Sequence, residues 1–203
     1  MYAAFNWFVA SLGFEAGYLA AFALYWAGWC LLLPAVVLGG VRGIRDLFRE
    51  HEPRFGDRKL LTIGLLTWGP VVVFFVRFLP GVTDATVPVI LVSVAVGVII
   101  GVTEEVLWRG TFVRSFPESA WLGYVYPSVG FALWHVAPQS TSPNPMPGGV
   151  YSFILYSLLL GLSLGYYSWQ TKSIRWATII HVVHDSLGLP GFAWVGILTS
   201  QLP

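Results

Sequence analysis

Charge is what this chain has least of. Asp, Glu, Lys and Arg make up only 10% of its 203 residues, against about 25% in an ordinary soluble domain, and that excludes a water-soluble globule. The single cysteine, Cys30, excludes an internal disulfide; it sits in an apolar run and reads as a small packing residue. No Lys or Arg precedes Arg42. Without a basic leader, the apolar N-terminus does not read as a cleaved signal peptide. There is no internal repeat, no phosphate-binding glycine loop and no dinucleotide fingerprint, and the sequence has no basic patch suited to nucleic acid, so no nucleic-acid partner is expected.

What is present is apolar. Hydrophobic residues make up 56% of the chain, with 10 Trp and a mean hydropathy of +0.71. These values imply an all-α, polytopic membrane protein surrounded by lipid, a single domain over 1–203 with six to seven helical spans. Runs near the length of a span fall at 16–40, at 60–79, and at 86–103 with a continuation toward 113. Others fall at 119–137, 150–171 and 174–187. A last apolar stretch, 190–201, opens on Pro190-Gly191 and reads as a half-span or an interfacial helix. The aromatic-rich residues 1–14 read as an interfacial N-terminal helix.

The basic residues set the orientation, because cytoplasmic connections carry an excess of Lys and Arg. Arg42, Arg45, Arg49, Arg54, Arg58 and Lys59 all lie between the first two runs. Arg109 and Arg114 end the third, and Lys172 and Arg175 lie between the fifth and sixth. The turns at 80–86 and 138–149 have neither Lys nor Arg. Every second connection is basic, which implies an N-terminus outside. Arg77, the exception, is close enough to a span end to snorkel. The linker Arg42–Lys59 reads as amphipathic and cytoplasmic, and the Pro- and Ser-rich loop 138–149 as irregular.

Three polar islands interrupt the apolar runs: Glu104-Glu105-Val-Leu-Trp-Arg109, Phe131-Ala-Leu-Trp-His135 and His181-Val-Val-His184-Asp185. A charged side chain in the membrane interior costs roughly 2.5–3.5 kcal/mol on insertion scales, so such residues mark function. At a rise of about 1.5 Å per residue, Glu104 lies roughly 15 Å below the cytoplasmic interface, His135 roughly 22 Å in, and His181 and Asp185 roughly 10 and 16 Å in. These depths overlap near the middle of a core about 30 Å thick, so the islands can converge.

Glu105 and Arg109 are i, i+4 with the acid first, the favourable order for a helical ion pair, and that pair has a purely structural use in locking helices. Glu104 is turned about 100° away and is free to point elsewhere. His181 and Asp185 are also i, i+4 and face one side. His135 alone needs to do no more than bond a backbone carbonyl, and His184 reads as a supporting residue. Gly161 and Gly165 form a GxxxG, for which close packing is sufficient explanation.

The three islands, in order and on separate apolar segments, resemble the CPBP family of intramembrane proteases (CAAX protease and bacteriocin-processing, also called Abi). Its signatures are EExxxR, FxxxH and HxxxN/D; here they read EEVLWR, FALWH and HVVHD, and the resemblance covers about 90–190. It implies that Glu104 is the general base that activates water and that His135 orients that water and shuttles its proton. It further implies that His181 and Asp185 stabilise the oxyanion or hold its donors, while Glu105 and Arg109 brace the helix. The chemistry is consistent, because peptide hydrolysis needs a base poised toward neutrality and preorganised donors for the developing oxyanion. Asp185 stands where CAAX endopeptidases have Asn. An ionised Asp only accepts, so it would orient and charge His181, leaving that imidazole as the donor.

Members of the family have been described both as metalloproteases and as glutamate proteases. Two histidines and a glutamate could form an open zinc site, but the HExxH spacing of zincins is missing. The resemblance favours metal-free glutamate catalysis, with no metal and no cofactor. The expected substrate is a lipidated CAAX-type tail, a leader peptide or a membrane-embedded sorting tail, reached from the cytoplasmic side. Two other readings are a non-proteolytic partner or immunity protein of the same fold, and a small transporter. Intact Glu104, His135 and His181 weigh against the first, and the missing internal repeat weighs against the second.

Overall fold

The computed structural model describes residues 1–144 and 146–199, and every regular element among them is helical. In chain order these are α1 (Tyr2–Leu12), α2 (Phe14–Leu38), α3 (Val41–Asp46), α4 (Lys59–Gly81) and α5 (Val87–Ser115). Then follow α6 (121–134), α7 (Val136–Gln139), α8 (Gly149–Thr171), α9 (Arg175–Leu187) and α10 (Gly191–Thr199). Residues 200 and 201 of the last apolar stretch, and Pro145 of the loop 138–149, lie outside the described residues.

Four helices, α2, α4, α5 and α8, are long and apolar enough to cross a membrane. Their outward faces are apolar too, with Leu60, Leu91, Val76 and Phe75 more than 60% exposed. So much exposed hydrocarbon is ordinary against lipid and costly against water. This is an all-α membrane bundle. The shorter runs behave differently from full spans. At 13 residues, α9 is about 20 Å long, less than a hydrocarbon core about 30 Å thick. α6 is similarly short, with a π-helical start at Trp121–Val125.

The aromatic N-terminal segment is part of the bundle. Gly13 takes a left-handed φ of 82°, which reverses the chain so that α1 runs back along α2. Phe5 is fully buried against Tyr18, Phe22 and Trp134. Asn6 donates to Ser140 beyond α7, at 3.0 Å. The loop expected from residue 138 therefore starts later, since α7 keeps the chain helical to Gln139.

The contact that matters most for the site is between α5 and α9. Gly97 and Gly101 sit one turn apart on α5, where a Cβ at Gly97 would come within 2.9 Å of Ser186 N and one at Gly101 within 2.7 Å of Val182 N. The two backbones meet because neither glycine has a side chain. Gly161 and Gly165 play the same part on α8, where a Cβ would meet Ser128 and Tyr124 of α6. Gly101→Ala should lower stability by about 1–3 kcal/mol despite alanine's better helix propensity, because the obstacle is backbone. Thermal unfolding of the detergent-solubilised protein checks this, and an unchanged or raised midpoint would contradict the packing.

Candidate functional site

α5 is a continuous helix through the paired glutamates, and its bonding pattern widens to a π-helix at Val106–Thr111, immediately after them. Such π-turns are frequent at functional sites because they redirect side chains inside an otherwise regular helix. Glu104, Glu105, Arg109 and His181 are each at most 3% exposed. Arg109 Nη1 lies 2.9 Å from Glu105 Oε1, the expected i, i+4 ion pair. The same carboxylate oxygen accepts from His181 Nδ1–H at 2.8 Å. Glu105 is thus a bridge between α5 and α9 as well as a brace within α5.

His181 presents its other nitrogen to the remaining acids. Nε2 lies 3.9 Å from Glu104 Oε2 and 3.6 Å from Asp185 Oδ2, too far for direct hydrogen bonds. Glu104 Oε1 accepts from Trp134 Nε1–H at 3.2 Å. Its Oε2, like that of Glu105, is buried and has no hydrogen-bond partner among the described residues. An unmet carboxylate oxygen in an apolar interior is costly.

His135 closes α6. Its Nδ1–H donates to Phe131 O at 2.8 Å, since a carbonyl only accepts, and that leaves Nε2 as the acceptor of a neutral ring. No ring nitrogen of His135 pairs with a carboxylate among the described residues. What joins it to the cluster is Phe131. The Phe131 ring touches His135 at 4.9 Å between centroids and His181 at 5.8 Å, and the Arg109 guanidinium sits 4.2 Å above its face. Phe131 is a wedge between the motifs, and its cation–π contact gives Arg109 a second partner in an apolar setting.

Besides His184, expected as a supporting residue, the site has supports that were not anticipated from the sequence. Trp134, which fixes Glu104 Oε1, is stacked on Tyr25 of α2 at 3.5 Å, and the Tyr25 hydroxyl accepts from Trp108 Nε1–H at 2.8 Å. Asp185 is oriented by His184, whose Nδ1–H donates to Oδ1 at 2.8 Å. The other side of His184 meets the Tyr156 hydroxyl at 2.9 Å, and that hydroxyl reaches Gly69 O of α4 at 3.4 Å. One available signal was that a buried Trp N–H or Tyr O–H needs a partner; which partner could not be read from the chain.

The zinc site weighed from the sequence would draw on His135, His181 and Glu104. His181 Nδ1 is held by Glu105 and His135 Nδ1 by Phe131 O, which leaves Nε2 as the open nitrogen of each ring. Among the described residues no group of three His, Cys, Asp or Glu is arranged to hold a metal ion.

A family model described as type II CAAX prenyl endopeptidase Rce1-like matches residues 86–187. The chain belongs to that family. The matched stretch runs from the start of α5 to the end of α9 and so contains all three motifs, while α1, α2 and α4 lie outside it. No curated protein and no solved structure matches the chain. Membership in the Rce1-like family makes the chain a membrane protein of the CAAX-type endopeptidase class.

Proposed function

We propose that the chain is an intramembrane endopeptidase in which Glu104 activates water for attack on a peptide bond of a membrane-embedded or lipidated substrate. The observation that carries this reading is Glu104 Oε2, buried, unpartnered and 3.9 Å from His181 Nε2. The two groups face each other, and the attacking water enters between them as they part to admit it. Trp134 fixes the other carboxylate oxygen, which aims the basic lone pair rather than leaving it free to rotate.

The proton bookkeeping is short. Glu104 takes a proton as the water oxygen attacks the carbonyl carbon, then returns it to the leaving amine nitrogen, so that the bond breaks to a carboxylate and an amine. His135 Nε2, an acceptor while Nδ1–H is held by Phe131 O, takes the second water hydrogen and passes that proton to the released amine, which departs as ammonium. His181, with Glu105 on one nitrogen and Asp185 toward the other, offers Nε2–H to the oxyanion. Asp185 only accepts, so its part is to orient and charge His181. Glu105 and Arg109 hold His181 and α5 in register.

CAAX-type tails, leader peptides and membrane-embedded sorting tails are the substrate classes that suit a site of this kind. The charge pattern supports an N-terminus outside and an opening toward the cytoplasmic side. The mechanism uses no metal and no cofactor. Exhaustive treatment of active, purified protein with a strong chelator should therefore leave the cleavage rate within about two-fold of the untreated rate. Loss of activity together with about one zinc per chain, both regained on reconstitution, would sink the metal-free reading.

A further inference from the structure

A second charged feature lies away from the three motifs, where the segment after α3 meets the start of α9. It is an open cavity of about 540 Å³ whose walls carry Arg45, Arg49 and Arg175. Glu50 also lines it, but its carboxylate is already engaged: Oε1 accepts from Trp176 Nε1–H at 2.8 Å and Oε2 from Arg175 at 3.1 Å, and Arg54 lies within 3.3 Å. The guanidinium groups of Arg45 and Arg49 have no ion pair or hydrogen bond among the described residues. Thr178, also on the lining, is 6% exposed and its Oγ1 has no hydrogen-bond partner. Two unpaired guanidinium groups share one concavity, a donor set for an anion with several oxygens.

The walls are held together. Ile174 N–H donates to Leu47 O at 2.9 Å, and the buried Leu47 side chain packs on Val106 and Ile174. The arginine-bearing segment is thereby fixed to the first turn of α9 instead of waving free. An apolar strip also leads away from the cavity. Ile179 on its rim is 41% exposed, and Val183, one turn further along α9, is 42% exposed. A soluble anion would gain nothing from that strip, whereas an acyl chain would cover it.

We propose that this cavity binds the headgroup phosphate of an anionic phospholipid, with Arg45 and Arg49 on its oxygens and an acyl chain along Ile179 and Val183. The assignment does not depend on the peptidase reading, and its test reads binding alone. The full-length detergent-solubilised protein is titrated with phosphatidylglycerol, phosphatidylcholine and inorganic phosphate, with bound lipid counted by native mass spectrometry. Phosphatidylglycerol should bind more tightly than phosphatidylcholine. The double substitution Arg45→Gln, Arg49→Gln should weaken phosphatidylglycerol on the order of 30-fold, with little change for phosphatidylcholine. Neither arginine has a partner to lose among the described residues, so the fold should be unaffected. Equal phosphatidylglycerol binding by wild type and the double variant would overturn the assignment. So would displacement of the lipid by inorganic phosphate at equal concentration.

Discussion

Glu104→Gln is expected to lower the cleavage rate by about 10²–10⁴-fold, the range that a positioned general base supplies, while the protein still inserts and folds. The amide preserves the size of the side chain and can still accept from Trp134 Nε1–H at its present 3.2 Å. What it loses is the basic oxygen facing His181. Glu105→Gln provides the contrast, because Glu105 Oε1 meets both Arg109 at 2.9 Å and His181 at 2.8 Å. That variant should be less stable and keep part of its activity. If Glu105→Gln were inert and well folded while Glu104→Gln cleaved normally, the roles within the pair would be reversed.

The largest stability effect should come from Arg109. Arg109 is 1% exposed and Glu105 is fully buried, so neither can turn to water when the other is removed. Breaking a buried pair by deleting one partner costs about 3–5 kcal/mol, because an uncompensated charge remains. Arg109→Met should show a loss of that size in the unfolding free energy of the solubilised protein. It also removes the guanidinium from the face of Phe131, 4.2 Å away. Adding Glu105→Gln to Arg109→Met should restore part of the loss, since the orphaned carboxylate is then gone. If the two losses simply add, Glu105 and Arg109 do not act as a unit.

The fold class and the polar cluster were legible in the chain because lipid makes charge conspicuous. Carboxylates at 104 and 105 after an uncharged run, and histidines inside apolar segments, have few structural excuses. The Glu105–Arg109 pair was legible because both partners lie on one helix, one turn apart. The Glu105–His181 hydrogen bond was not, since it joins α5 to α9 across 76 positions and periodicity carries no information on which helices touch. Gly161 and Gly165 were legible as a packing motif, whereas Gly97 and Gly101 bring α9 against α5. Those two glycines repeat the GxxxG spacing within a run of Val and Ile, so the motif was equally legible, but which helix it receives was not. The role of α1 was also hidden. Aromatic residues near a terminus suit an interface equally well, and only the turn at Gly13 buries Phe5 in the bundle.

The central claim is that Glu104 directs a water molecule at a peptide bond. It is tested most directly by incubating the purified protein and its Glu104→Gln variant with tagged, membrane-anchored CAAX-type peptides in ¹⁸O-labelled water, with products read by mass spectrometry. The account predicts cleavage by the wild type at a defined bond, one solvent oxygen in the new carboxylate under single turnover, and no comparable product from the variant. Cleavage by both proteins at similar rates would contradict it.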